Sequence, residues 1–150
     1  MALVVRTIRV STSIAWRDSH SVGIKELDTQ HRRLLDLINE LDELVGDQQE
    51  SSSKTKCYAA LNALVKYAES HFITEEGYLQ KYAYPKYDLH KAEHDSFVET
   101  VFSMNQKLEK GGPYTLSEIV GYLKDWYKSH VLGVDQEYKG FLAEKGAEAK

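Results

Sequence analysis

Apolar side chains recur at intervals of three and four residues along four stretches of the chain, a period typical of amphipathic α-helices. The stretches run from about 27 to 45, from about 54 to 82, from about 87 to 110 and from about 116 onward. No alternation typical of β-strands competes with this pattern over any length. In order, the four apolar faces carry Leu34, Ile38, Leu41 and Val45; Leu61, Leu64, Ala68, Phe72 and Leu79; Phe97, Val101, Met104 and Leu108; and Leu116, Ile119, Leu123, Trp126 and Val131.

Three short segments separate the predicted helices: GDQQESSS at 46–53, AYPK at 83–86 and KGGPY at 110–114. Because short connections place consecutive helices side by side in opposite directions, the chain is predicted to be all-α. The expected architecture is an antiparallel up-down-up-down four-helix bundle over about 26–142, within a single domain of 1–150. Residues 1–25 would form an N-terminal arm, with a short strand-like piece, VVRTIRV, at 4–10.

The composition argues against several classes of partner. The 150 residues are 42% hydrophobic and 28% charged, as in a globular protein, and the net charge is −4. With Lys and Arg scattered along an acidic chain, nucleic acid is a poor candidate. No apolar run approaches the length of roughly 20 residues that crosses a membrane. Cys57 is the only cysteine, so an internal disulfide is impossible and a reducing, cytoplasmic location is expected.

The histidines have an unusual distribution, because five of the six fall on the predicted apolar faces. A single histidine there is usually a hydrogen-bonded core residue, whereas a buried carboxylate without a partner is unfavourable. Side chains four residues apart stack on one helix face and can share an ion. We therefore predict a polynuclear metal site, with His20 in the arm outside it. The converging residues are His31, His71, Glu75, His90, His94 and His130.

Two other kinds of metal site fit the sequence less well. HKAEH at 90–94 matches the H-x-x-E-H of inverted zinc proteases, but Glu93 lies beside the apolar face and belongs to the solvated side. Such a centre would also leave three inward histidines without a role. The carboxylate di-iron site of ferritin-like proteins needs E-x-x-H on two helices, and this chain has no E-x-x-H. The predicted site is therefore rich in histidine and poor in carboxylates.

In order and spacing, the ligand-type residues resemble the signature of the hemerythrins. VGIKELDTQH ending at His31, HFITEE beginning at His71 and the YP turn at 84–85 are similar to the bacterial branch of that family, as are Trp126 and Tyr138. The resemblance covers residues 16–141, nearly the whole chain. The matching pattern is His31, then His71-x-x-x-Glu75, then His90-x-x-x-His94, then His130-x-x-x-x-Asp135.

The resemblance implies a non-haem di-iron centre that binds dioxygen reversibly. It implies two irons bridged by two carboxylates and by one oxygen atom, as oxide or hydroxide. Two octahedral irons offer about twelve positions, and the implied ligands leave one, on the iron with fewer histidines, for dioxygen. The implied ligands are His90, His94 and His130 for one iron, His31 and His71 for the other, and Glu75 and Asp135 as the bridges.

The implied role of Asp135 constrains the helix around it, and the resemblance also places Tyr138 near the site. Five residues of an α-helix turn about 140° from the starting face, so Asp135 does not naturally follow His130. We expect either that its carboxylate reaches sideways or that the helix loosens there, which Gly133 would permit. Tyr138, three residues further on, is expected just outside the ligands.

The resemblance also implies an apolar pocket around the open position. Leu34, Phe72, Trp126 and Val131 occupy pocket positions of the family, where they would exclude water and slow oxidation. Tyr127 departs from the family, in which a leucine is common three residues before the histidine. Its phenol is expected either to hydrogen-bond the bound oxygen ligand or, more simply, to point along the helix to solvent.

Three functions remain open on the sequence. The first is a single-domain oxygen carrier or store, which would deliver dioxygen to an oxidase or buffer it. The second is a sensor that reports oxygen or redox state to an unknown signalling partner. The third is a di-iron oxidase or peroxidase, which would need polar proton donors near the open iron, and Tyr127 is the one candidate for that role. We expect a binding protein rather than an enzyme.

Overall fold

The computed structural model describes residues 13–46, 51–110 and 115–147, and these ranges contain helices and turns but no strand. After a short 3₁₀ turn at Asp18–His20, helix α1 spans Lys25–Gly46 and helix α2 spans Ser51–Lys81. Helix α3 spans Tyr87–Glu109. Helix α4, Leu116–Trp126, continues through a π-helical segment, Tyr127–Val134, into helix α5, Asp135–Glu144.

The helices form the predicted four-helix bundle, in which α1 packs on α2 and α4, and α3 packs on α2 and α4. None of the described helices is long and apolar enough to cross a membrane. The predicted loop at 46–53 is wrong at its end, because α2 already begins at Ser51.

The predicted apolar faces form the core. All their members are buried except Val45, Leu108 and Trp126, which are partly buried against it. A second buried cluster closes one end of the bundle around Leu27, Leu79 and Tyr138. Burial of these faces stabilises the helices, because most isolated helices are only marginally stable in water.

The described part of the arm belongs to this packed structure. The side-chain amide of Asn39 donates to the Ile14 carbonyl and accepts from the Ile14 N–H, at 2.9 and 3.2 Å. The Trp16 ring lies under the Arg32 guanidinium at 4.8 Å, and Val22 is buried in the end cluster. The described residues of the arm, 13–24, therefore pack against the bundle, while the predicted strand-like piece at 4–10 lies outside the described residues.

The π-helical segment explains how two distant positions come to share a face. Its hydrogen bonds run from residue i to residue i+5, so its turn is wider than that of an α-helix. His130 lies within it and Asp135 follows immediately, and both side chains are buried in the bundle. The helix therefore does loosen, as the spacing required. A Cβ at Gly133 would make only an ordinary contact, 3.8 Å from the Lys128 carbonyl oxygen, so the wider turn does not depend on glycine there.

Candidate metal centre

All the predicted ligand residues converge inside the bundle, from α1, α2, α3, the π-helical segment and the first residue of α5. Their donor atoms form two groups, each within 4.8 Å, that have two carboxylates in common. All are buried, with exposures of 2% or less. The three-histidine set is His90, His94 and His130 with Glu75 and Asp135, and the two-histidine set is His31 and His71 with the same two carboxylates.

The helical spacing accounts for this convergence. Glu75 follows His71 by four residues and His94 follows His90 by four, so each pair lies on one face of its α-helix. Glu75 reaches both sets, because its Oε1 lies 2.7 Å from His90 Nε2 while its Oε2 lies 3.2 Å from His31 Nε2. The Asp135 carboxylate likewise lies between the two sets.

The three-histidine set brings together atoms that carry lone pairs. His94 Nδ1 donates a hydrogen bond to Glu76 Oε2 at 2.8 Å, so its Nε2 has no proton in the neutral ring. That Nε2 lies 3.0 Å from His130 Nε2 and 3.1 Å from Glu75 Oε1. A bare imidazole nitrogen beside a carboxylate oxygen is repulsive unless a cation lies between them.

The two-histidine set shows the same arrangement. His71 Nδ1 donates to Gln30 Oε1 at 2.7 Å. Burial lowers the pKa of His71 and outweighs the opposing effect of Glu75, so the ring is neutral and its Nε2 is bare. This nitrogen lies 3.3 Å from Glu75 Oε2. Two acceptors again face each other, as they do in a metal site.

Asp135 supplies a third indication of a metal site. Both its carboxylate oxygens are buried, and neither makes a hydrogen bond among the described residues. They nevertheless lie 3.0 to 3.1 Å from the Nε2 atoms of His31, His90 and His130. The nitrogen and oxygen atoms therefore lie close together without forming hydrogen bonds, as atoms that ligate a common ion do. Imidazole ligands suit iron, zinc, copper and nickel, so a donor set rich in histidine fits a transition metal such as iron.

In the metal-free chain, protons partly compensate the two carboxylates. Burial alone would lower the pKa of His31 and His90, but contacts with Asp135 and Glu75 raise these values to about 9 and about 10. Burial raises the pKa of Glu75, but its contacts with the surrounding histidines bring it well below its usual value. Metal ions would replace these protons, since ligands bind metals in their deprotonated forms.

Aromatic side chains enclose the three-histidine set. Phe72 stacks on His94, with ring centroids 3.9 Å apart, and Trp126 stacks on His130 at 4.7 Å. Leu34 and Val131 are fully buried in the adjacent core. The role of these four residues in an oxygen pocket stays a prediction.

The two tyrosines near the site donate hydrogen bonds to the protein. Tyr138 lies where it was expected, and its hydroxyl donates to Glu75 Oε2 at 2.8 Å. Tyr127 does not point to solvent, and that alternative is wrong. Its side chain is fully buried, and its hydroxyl donates to the His31 carbonyl at 3.2 Å. The reason is that Tyr127 begins the π-helical segment on its inward side.

The residues that hold the outer nitrogens of the histidine rings were not predicted from the sequence. Gln30 precedes His31 and Glu76 follows Glu75, so each is adjacent to a ligand in the chain but bonds to a histidine of another helix. Glu93 is half exposed, as predicted for the solvated side, yet its Oε2 lies 3.6 Å from His130 Nδ1. The sequence signal was a polar residue next to a ligand, which is too common to be specific.

His20 lies outside both donor groups, as expected. Its Nδ1 accepts a hydrogen bond from the Arg17 backbone N–H at 3.1 Å, and its ring packs edge-on against Trp16.

Comparisons with known proteins agree with this geometry. Residues 22–142 match the Hemerythrin HHE cation binding domain. A bacteriohemerythrin of Clostridium acetobutylicum is 35% identical over 124 residues, covering 82% of this chain and 96% of that protein. A myohemerythrin of Theromyzon tessulatum is 30% identical, covering 85% and 92%. The crystal structure of a wild-type hemerythrin superposes with a TM-score of 0.76 at 26% identity, covering 85% of this chain and 95% of the other.

Proposed function

The chain belongs to the hemerythrin family, and we propose that it binds dioxygen reversibly at two iron ions, as a carrier or store. The observation that carries this proposal is the pair of buried donor sets with Glu75 and Asp135 in common. Glu75 and Asp135 belong to both sets and could each ligate an ion in either one, so the donor pattern fits two ions. A single ion would leave the Nε2 atoms of at least two buried histidines without a metal to ligate.

We assign one iron to the three-histidine set and the other to the two-histidine set. Bound ferrous ions would supply the electrons that dioxygen takes up on binding and returns on release. The two-histidine set offers one donor fewer, so the position for dioxygen belongs on that side. Its two histidines come from the facing surfaces of α1 and α2, and both rings are buried.

The protein's own residues keep this site dry and its ligands in place. Tyr138 holds Glu75 through a hydrogen bond from its hydroxyl, and Gln30 holds the His71 ring. Stacking of Phe72 on His94 and of Trp126 on His130 removes the rings from water. Exclusion of water favours reversible binding, because it slows the replacement of bound dioxygen by solvent and the loss of electrons from the centre.

The same contacts favour binding over catalysis. An oxidase or peroxidase needs a proton donor that can reach the bound oxygen atoms. The Tyr127 hydroxyl donates to the His31 carbonyl, and the Tyr138 hydroxyl donates to Glu75, so both protons are already engaged. The oxygen carrier or store is therefore the function that we propose.

An oxygen titration followed by absorption spectroscopy tests this function. Iron-loaded protein is reduced without air, titrated with dioxygen, and then purged with argon. We expect a new visible band that saturates with dioxygen and disappears on purging over repeated cycles. The His20→Ala variant serves as a control and should behave like the parent. The proposal would be contradicted if the band persisted after purging with argon, or if dioxygen did not change the spectrum of the iron-loaded protein.

A further inference from the structure

The outer hydrogen-bond partners of the ligand histidines differ between the two sets. In the three-histidine set, the His94 ring makes an outer hydrogen bond, and its partner is a carboxylate. Glu76 Oε2 accepts from His94 Nδ1 at 2.8 Å, and the Glu76 side chain is only 16% exposed. Glu93 Oε2 lies 3.6 Å from His130 Nδ1, too far for a hydrogen bond, and that nitrogen has no hydrogen bond among the described residues. One direct contact and one longer contact therefore place negative charge behind these rings.

In the two-histidine set, no carboxylate of the described residues lies behind the rings. His71 Nδ1 donates to the neutral amide of Gln30, at 2.7 Å. The orientation of that amide is fixed, because its Nε2 lies 3.5 Å from Thr74 Oγ1, whose hydroxyl donates to the Ser70 carbonyl. His31 Nδ1 is buried and makes no hydrogen bond within the part of the chain that the structure describes.

This difference has an electronic consequence. A carboxylate that accepts from Nδ1–H makes the imidazole a stronger donor at Nε2, and so stabilises a higher charge on the bound metal. A neutral amide orients the ring in the same way with less of this effect, because charged hydrogen bonds are roughly twice as strong as neutral ones. The two sets therefore differ in charge as well as in the number of histidines.

We propose that Glu76 and Gln30 are positioning residues that separate the reduction potentials of the two irons. This inference rests on the proposed function. Removal of one electron from the diferrous centre by a soluble one-electron mediator would leave the ferric ion in the three-histidine set. The ferrous ion would stay in the two-histidine set, where dioxygen binds. The charge of Glu76 favours the ferric ion in the three-histidine set, and the neutral Gln30 favours the ferrous ion in the two-histidine set.

Two charge-changing variants with preserved shape test this inference. Glu76→Gln keeps an acceptor for His94 but removes the charge, and Gln30→Glu keeps an acceptor for His71 but adds one. Glu69→Gln, on the exposed side of α2, and Gln106→Glu, on the exposed side of α3, are the matched controls. The readout is a spectroelectrochemical titration of iron-loaded protein, which resolves the two one-electron midpoints without measuring oxygen binding.

We expect opposite shifts that both bring the midpoints together. Outer-partner changes typically alter metal binding by about tenfold or more, and a tenfold change in ferric preference corresponds to about 59 mV for one electron. Glu76→Gln should raise the lower midpoint by about that amount, and Gln30→Glu should lower the upper one. Both controls should leave the midpoints unchanged. Unmoved midpoints, or shifts in the same direction in both variants, would overturn the inference.

The two proposals fail in different ways. If the parent chain binds two irons and cycles with dioxygen but the variants keep the parent midpoints, only this inference falls. If the parent chain does not bind two irons, both proposals fall. Should Glu76→Gln lose its iron, Gln30→Glu decides alone, because it adds charge while keeping the acceptor. A lowered upper midpoint then supports the inference, and an unchanged one refutes it.

Discussion

Removal of one hydroxyl group, in the variant Tyr138→Phe, tests how the bridging carboxylate is held. Tyr138 is fully buried, and its hydroxyl donates to Glu75 Oε2 at 2.8 Å. Burial and the charge of Glu75 hold the pKa of this phenol well above its usual value, so it stays a protonated donor throughout the working pH range. The variant keeps the ring and its contacts, which include His90 at 5.6 Å and Tyr84 at 6.3 Å between centroids.

The magnitude follows from the kind of bond that is lost. A hydrogen bond to a charged group contributes about 1.5 to 3 kcal/mol net, and the remaining partner is a carboxylate that cannot reach water. We therefore expect Tyr138→Phe to lower the free energy of unfolding of the iron-free protein by about that amount. Urea unfolding followed by circular dichroism at neutral pH measures it, with an unchanged m-value as evidence that only stability has changed.

Tyr84→Phe is the matched control for this variant. Tyr84 packs in the same end cluster and is 8% exposed, and its hydroxyl makes no hydrogen bond with any described residue. Its replacement should change the free energy of unfolding by less than about 0.5 kcal/mol, as is usual away from specific contacts. If the two variants lost the same stability, the bond to Glu75 would not stabilise the site, and the reasoning from its geometry would be refuted.

Three further predictions concern the core, a buried ion pair and the protons of the site. Leu34→Ala should lower the free energy of unfolding by about 2 to 5 kcal/mol and speed autoxidation in folded, iron-loaded protein; an unchanged decay of the oxygenated spectrum would remove Leu34 from the pocket. Lys124→Met removes the ammonium that lies 2.6 Å from the buried Asp42 carboxylate. Urea unfolding should then show a free energy of unfolding that is lower by about 3 to 5 kcal/mol. A decrease under about 1 kcal/mol would mean that the pair contributes no more than an exposed salt bridge. The free energy of unfolding of iron-free protein, measured in urea, should fall as the pH rises from 6.5 towards about 10. Folding raises the pKa of His31 to about 9 and of His90 to about 10, so the folded state keeps protons that the unfolded state has released. A free energy of unfolding that rises over this interval would contradict the assigned ion pairs.

Much of the bundle could be predicted from the sequence because its helices bury one face each. A period of three and four residues specifies which side chains point inward, and this period is sufficient to assign His31 and His71 to the core side. Spacing of four residues likewise predicted that the pairs His71/Glu75 and His90/His94 would each share one helix face, and all four side chains are buried. The N-terminal arm was less predictable, since its contact with Asn39 depends on the path of an irregular segment.

The remaining features depend on tertiary contacts that a periodic pattern does not contain. The five-residue spacing of His130 and Asp135 left two alternatives, a sideways-reaching carboxylate or a loosened helix, and it did not indicate the eight-residue length of the π-helical segment. The alternative in which Tyr127 points to solvent was wrong, because its hydroxyl donates a hydrogen bond to the carbonyl of His31 on another helix. Gln30 and Glu76 also act across helices, so adjacency in the sequence could not identify their histidine partners.

The iron content of the folded chain tests the central claim most directly. Elemental analysis of monodisperse, helical protein from iron-replete cells should give two irons per chain, and His20→Ala should give the same value. His31→Ala should retain one iron, because the three-histidine set does not include that residue. One metal ion per chain in the parent, or zinc alone, would contradict the assignment of two irons to the two donor sets.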